Sequence, residues 1–190
     1  MFQVRFHGRG GQGVVTAAEL LSYAAFLEGK HAQAFPSFGS ERTGAPVVSF
    51  CRIDDKEIRL REPILEPDAL IVQDPTLIKA ADLFQGLRRD GYLLVNTTRG
   101  FADLGIADRV AALPAGHART VAASELAVKH IGRPLPNAAL LGAFAALTGL
   151  VGIASVEAAI RHTFAGKIGD ANVAAARATF DVVAATPAAA

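Results

Sequence analysis

The chain has one cysteine, one methionine and no tryptophan among its 190 residues, and only 19% of it is charged. A lone cysteine, Cys51, cannot close an internal disulfide, and it cannot hold an iron–sulfur cluster by itself. The chain is therefore expected to suit a reducing cytoplasm and to carry no metal centre of its own. Nineteen basic residues against eighteen acidic ones leave a formal net charge of +1. That balance gives no footprint for nucleic acid or a charged membrane surface. Long apolar runs are missing as well. The longest, Ala138 to Ile153, is shorter than a membrane span and is interrupted by Gly142, Gly149 and Gly152. Met1 to Phe6 lacks the charged head and apolar run of a signal peptide.

What is present is apolar and small. Hydrophobic residues make up 51% of the chain, enough for a sizeable core. High alanine with little charge suggests faces buried against partners, although a genome that uses alanine freely gives the same composition. The length predicts one domain, residues 1–186, with a frayed tail at 187–190.

Phe2 to Phe6 alternates apolar and polar residues and predicts a strand. His7 to Gly13 is a glycine-rich turn. Val14 to Leu27 has helical spacing and stops before Gly29, which suits a left-handed cap. A short strand is expected at His31 to Phe35 and a breaker-rich loop at Pro36 to Gly44. Ala45 to Ile53, a turn at Asp54 to Lys56 and Glu57 to Arg61 predict a β-hairpin. Ala69 to Val72 and Gly91 to Asn96 look like buried parallel strands. Pro75 can open a helix reaching Leu83 or Phe84. Val110 to Leu113 is expected to be a further strand. Helices follow Thr120, interrupted at Arg133 to Pro136 and Gly166 to Gly169. The whole predicts a single α/β domain. Its mixed, mainly parallel sheet is flanked by helices and has a Rossmann-like glycine-rich loop after strand one.

That loop, Gly8-Arg9-Gly10-Gly11-Gln12-Gly13, has Gly-x-Gly-x-x-Gly spacing between a strand and a helix. Free amides at a helix start attract phosphate, and Arg9 is a candidate to assist. The glycines also suit close strand–helix packing alone. An NAD site needs an acid at the end of the second strand. None stands near Phe35-Pro36, and Glu28 sits at the end of the preceding helix instead. The Lys-Ser/Thr ending of a nucleoside-triphosphate loop is absent too. In a parallel arrangement the loop after strand two opens on the same edge as the glycine-rich loop.

The second unusual stretch is Ala34-Phe35-Pro36-Ser37-Phe38-Gly39-Ser40-Glu41-Arg42-Thr43-Gly44-Ala45-Pro46-Val47. Together with Gly8 to Val15 it resembles the gamma subunit of the thiamine-dependent 2-oxoacid:acceptor oxidoreductases, the pyruvate:ferredoxin type. The resemblance continues through Glu66-Pro67-Asp68, Asp74-Pro75-Thr76-Leu77, Gly91 to Asn96, Gly132-Arg133-Pro134, Asn137 and Leu141 to Phe144. Thr43 stands where the family commonly has a second arginine. Val121 to Ala127 lacks the family's Asp-Ala-Thr run.

The resemblance implies one subunit of an oxidative decarboxylase that makes acyl-coenzyme A. Thiamine diphosphate and magnesium would lie in partner subunits of alpha and beta type, and 4Fe–4S clusters in a ferredoxin-like one, with a flavin subunit possible where NAD is the acceptor. It further implies coenzyme A contacts at Gly8, Arg9, Gly10, Gly11, Gln12, Gly13, Ser40, Arg42 and Thr43, and no catalytic residue in this chain. Arg42 suits a ribose 3′-phosphate or a substrate carboxylate. A salt bridge to Glu41 or to a neighbouring subunit is the alternative. Pyruvate is the expected substrate, with phenylglyoxylate a further possibility. His7 could carry protons or simply cap local backbone, and Cys51 reads as a small buried residue. The competing readings are a self-contained NAD(P)-binding oxidoreductase and a purely structural subunit.

Overall fold

Val4, Phe6, Ile71 and Leu94, from three strands, share one core with Leu20, Leu21, Leu140, Leu141, Phe144 and Ile160 from helices. Helices packed on one face of a sheet therefore define the molecule. The computed structural model describes residues 1–37, 43–80 and 82–186. The predicted tail, 187–190, lies outside them.

The strands are β1 (Phe2–Arg9), β2 (His31–Pro36), β3 (Pro46–Asp54), β4 (Ala69–Val72), β5 (Tyr92–Asn96) and β6 (Ala118–Val121). They form one six-stranded sheet in the order β2-β3-β1-β4-β5-β6. The β1, β4, β5 and β6 strands run parallel, and β3 is antiparallel to both β1 and β2. The helices are α1 (Val14–Leu27), α2 (Ala107–Ala111), α3 (Ala123–Ile131), α4 (Asn137–Thr148), α5 (Ile153–Thr163) and α6 (Gly166–Ala185). Gly29, with φ 78°, follows the end of α1 as its sequence predicts. No helix among the described residues is long and apolar enough to cross a membrane.

Helix α4 explains the alanine-rich composition. It is buried from Asn137 to Ala145, so it is apolar all round rather than on one stripe. A Cβ on Gly142 would overlap the Ala176 carbonyl oxygen of α6. The glycine lets the two helix backbones touch. Thr179 seals the crossing from α6, donating its hydroxyl to the carbonyls of Ala139 and Ala176.

The opposite face of the sheet has a smaller core. Leu70, Val72, Leu93 and Val95 pack there on Leu77, Leu83, Leu104 and Ile106. Beside it, under β1 and β3, buried arginines hold loops. Arg5 donates to the carbonyls of Ile64, Leu83 and Gln85, and Arg52 to those of Leu60 and Glu62.

Four expectations need correction. Glu57 to Arg61 is not a strand. Both edges of β3 are already taken by β1 and β2, so the returning segment lies against Arg52 instead. The helix opened by Pro75 is a single 3-10 turn, Pro75–Lys79, with only Leu77 buried. Val110 to Leu113 is no strand either: Val110 closes a helical turn onto Ile106 within α2, and the strand is β6. β1 runs on past Phe6 through His7, Gly8 and Arg9, because these residues pair with Val48, Val47 and Pro46 of β3 before the turn begins.

His7 sits on β1 facing those loops, and its Nε2 accepts from Arg5 Nε at 3.0 Å. Burial, with the Arg5 charge adding to it, pushes its pKa down to about 4. An unfolded histidine takes a proton below about pH 6.5, whereas this one does so only near 4, so stability must fall as pH drops through that window. The loss reaches at most about 3 kcal/mol. His7→Gln keeps an acceptor for Arg5 but does not titrate. It should flatten the unfolding free energy measured from about pH 7 to about pH 4.5 relative to wild type. Parallel profiles would rule out His7 as the source. Its lack of protonation near neutrality also speaks against the proton-carrier reading. Cys51 is wholly buried, and burial pushes its thiol above the usual range, as befits a packing residue.

Candidate functional site

The site is built where β1 turns into α1. The backbone goes left-handed at Gly11 (φ 93°) and Gly13 (φ 71°), not at Gly10. Those two glycines let the chain leave the strand and enter the helix within four residues. Gly8 and Gly13 serve close packing as well. A Cβ on Gly8 would meet Val14 Cγ2 at 2.7 Å, and one on Gly13 would meet Asn137 Nδ2 at 2.5 Å. The α1 start is thereby pressed against the α4 start.

Gly10 bonds the second loop. Its amide donates to Ala45 O at 2.9 Å, and its carbonyl accepts from Gly44 N at 3.0 Å. A parallel bridge joins Gly10 to Thr43. The expectation that the two loops meet at the carboxyl edge of the sheet is met by these contacts. Ser40 and Arg42, two of the predicted site residues, lie outside the described residues. Thr43 is described and lines the cleft.

Arg9 and Gln12 face inward. Arg9 reaches Asp74 Oδ2 at 3.1 Å, Gly44 O at 3.0 Å and Thr76 Oγ1 at 2.9 Å. Gln12 accepts from the Arg9 amide at 2.8 Å and donates to the same Asp74 oxygen at 2.9 Å. Asp74 is thus the hub tying the glycine-rich loop to the end of β4. Burial works to raise its carboxyl, but hydrogen bonds from Thr76 and Gln12, with the Arg9 charge, outweigh that and hold it below the usual carboxylate range. The sequence reading passed over Asp74 as a hub. Its signal was an acid directly after a buried parallel strand, on the edge where ligands gather in such folds.

Between these loops and α1 lies an open cleft of about 230 Å³, lined by Arg9, Gly10, Gly11, Gly13, Val14, Val15, Thr16, Thr43 and Val47. Among the described residues nothing accepts a hydrogen bond from the amides of Gly11, Gly13, Val14, Val15 or Thr16. The first turn of α1 contains no acid. Donors without an acceptor among the described residues, the positive end of a 14-residue helix and no acid in its first turn are the features that attract an anion.

The geometry also weighs on the NAD reading. In a dinucleotide fold the second strand lies beside the first and delivers its acid to the ribose. Here β3 is inserted between β1 and β2, which sets the end of β2 about 10 Å from β1. Glu28 is used elsewhere, accepting from Gly152 N at 2.6 Å. No cluster of metal-ligating side chains occurs among the described residues.

The family model described as pyruvate ferredoxin/flavodoxin oxidoreductase matches residues 3–182. The chain is 49% identical over 181 residues to the pyruvate/ketoisovalerate oxidoreductases common subunit gamma of Pyrococcus abyssi, covering 95% of this chain and 96% of that one. It is 48% identical over 181 residues to the pyruvate synthase subunit PorC of Methanocaldococcus jannaschii, with the same coverage. Among solved structures, the pyruvate oxidoreductase subunit PORC of Thermotoga maritima superposes with a TM-score of 0.79 at 36% identity, covering 95% of each chain.

Proposed function

Since this chain belongs to the pyruvate ferredoxin/flavodoxin oxidoreductase family, as a gamma-type subunit of a 2-oxoacid oxidoreductase complex, we propose that its task is to hold the phosphate end of coenzyme A for that complex. The observation carrying this reading is the set of amides at the start of α1 that find no acceptor among the described residues, opening into a cleft with no acid in the first helical turn.

In this reading the amides of Gly11 and Gly13 to Thr16 hold a phosphate of the coenzyme, and the helix field adds to the attraction. Arg9 and Gln12 act one step back. Their bonds to Asp74 fix the loop in shape before the ligand arrives, so less order has to be imposed on binding. Gly10 holds the second loop, and with it Thr43, at the rim. Ser40 and Arg42 belong to that loop, and Arg42 is proposed to reach the 3′-phosphate. The chain supplies no group to the bond-breaking chemistry. Thiamine diphosphate with its magnesium and the 4Fe–4S clusters are assigned to partner subunits. When bound there, they supply the decarboxylation and the electron path.

The relatives carry pyruvate and ketoisovalerate in their names. A small aliphatic 2-oxoacid is therefore proposed in preference to phenylglyoxylate, with a ferredoxin-type acceptor and a cytoplasmic setting. Calorimetric titration of the purified complex tests the assignment. Coenzyme A should bind about tenfold or more tighter than its 3′-dephospho form, since a charged hydrogen bond to the 3′-phosphate is lost. NAD and NADP should give no heat. Tight binding of either nucleotide would favour the self-contained oxidoreductase instead.

A further inference from the structure

The cleft beside the start of α1 is not polar throughout. Valines line it together with the amides, and they are continuous with the interior. Val14 and Val47 belong to the main core, and Val15 packs against it. Val14 is 3% and Val47 8% exposed, whereas Val15 is half-buried and shows more of its surface. Val47 pairs with Gly8 in the ladder between β3 and β1, so it stands on the sheet directly beside the glycine-rich loop. This wall is an edge of packed core and holds its shape. Polar side chains in the cleft are few. Arg9 is tied to Asp74, Gly44 and Thr76, and Thr16 and Thr43 each add a methyl group to the lining.

A wall of this kind discriminates among phosphate esters by the group next to the phosphate. In a nucleotide that group is a ribose, whose hydroxyls lose water against valines without gaining partners. Inorganic phosphate has no apolar part to bury. Coenzyme A has two different ends on its diphosphate. One is esterified to ribose. The other carries the pantoyl group, in which a quaternary carbon bearing two methyls lies one methylene from the ester oxygen. That end joins negative charge to an apolar knob within a few bonds, as the cleft joins amide donors to valines.

We propose that the valine wall receives the paired methyls of the pantoyl group and so selects which end of coenzyme A lies against α1. Resting on the coenzyme A reading above, this gives the ligand a direction. The pantoyl phosphate lies on the α1 amides, and the adenosine end points out toward the second loop. Val15, the most open of the three valines, is the specificity-determining side chain. Methyl groups that leave water for a rigid apolar wall favour binding in proportion to the area covered, and a ribose has no such groups to offer.

The test titrates the assembled complex by calorimetry with 4′-phosphopantetheine and with its analogue lacking the two methyls. The analogue should bind wild type roughly four- to tenfold more weakly, the effect of one to two buried methyl groups. Val15→Thr keeps the shape of the side chain and replaces one methyl by a hydroxyl. It should weaken 4′-phosphopantetheine and leave the analogue as it was, so that the gap narrows. Unchanged binding of the analogue also shows that the variant has folded with its loop intact. Equal affinities of the two ligands for wild type would overturn the proposal, as would a gap that Val15→Thr does not narrow. Thr16→Asp, which sets a charge in the same cleft, tells this failure from failure of the reading beneath it. If it leaves 4′-phosphopantetheine binding unchanged, the phosphate lies elsewhere and both fall. If it weakens binding while the methyls make no difference, the cleft holds the phosphate and only the direction of the ligand is overturned.

Discussion

Gly142→Val is expected to lower the melting temperature of the chain further than any exposed substitution. A Cβ at this position overlaps the Ala176 carbonyl oxygen, a backbone atom that no rotamer change can move aside. Relief requires α4 and α6 to separate, and both are packed into the main core. Overpacking commonly costs about 1–3 kcal/mol, and more where backbone must shift. The higher helix propensity of a non-glycine residue returns less than about 1 kcal/mol. A net loss of about 3 kcal/mol or more follows, roughly 6–12 °C for a chain of this size. Gly149→Ala is the matched control. Gly149 caps α4 at φ 63° with open space around it, so only left-handed strain of about 1–2 kcal/mol applies. Thermal unfolding of both variants decides the matter. A smaller drop for Gly142→Val than for Gly149→Ala would mean that the crossing tolerates the extra atoms.

The same glycine shows what a sequence can and cannot convey. Gly142 interrupts an apolar run, yet nothing local names α6 as its partner, thirty-odd residues away. Patterns confined to neighbouring residues were readable. The strand before Gly8, the helix after Gly13 and the apolar quartets of β4 and β5 all follow from periodicity over a few positions. The errors came where a distant element had already claimed a bonding edge. Glu57 to Arg61 has strand-like composition, but β1 and β2 occupy both sides of β3. Val110 to Leu113 is more apolar than the true edge strand β6, whose Arg119 and Thr120 are partly exposed. An edge strand needs fewer apolar residues than a buried one, so the richest run was the wrong choice.

At the candidate site, residue types were legible and their duties were not. Gly8, Gly10 and Gly13 fit the phosphate-loop spacing, but the structure divides the labour differently. Gly8 and Gly13 make room for neighbours, Gly10 bonds the second loop, and Gly11 and Gly13 carry the left-handed turns. Arg9 looked like a phosphate contact because it is a cation in a glycine-rich loop. It spends its donors on Asp74, Thr76 and Gly44. Only the β4 strand lying beside β1 brings Asp74 within its reach, and a sequence does not state which strands are neighbours.

The division of labour also identifies the most informative variant for coenzyme A. Changing a loop glycine would disturb packing and binding together, so the result could not be assigned. Thr16→Asp separates them. Thr16 lines the cleft in the first turn of α1, where no acid now stands. An aspartate there suits the helix field and favours folding by about 0.3–1 kcal/mol. The same carboxylate would face a bound phosphate across a few ångströms. Two like charges at about 4 Å repel by roughly 4 kcal/mol at the effective dielectric near a surface. Water in an open cleft reduces this to about 1.5–3 kcal/mol, which corresponds to about ten- to a hundredfold in affinity. The assembled complex carrying Thr16→Asp should therefore keep its melting temperature and show that rise in KM for coenzyme A. The turnover of the 2-oxoacid with coenzyme A omitted should be spared. Added salt should narrow the gap to wild type, because a repulsion between partly solvated charges is screened. Thr16→Val, without the charge, should shift KM much less. A Thr16→Asp complex with wild-type KM at low salt would place the coenzyme phosphate elsewhere, and leave the amides at the start of α1 to another anion.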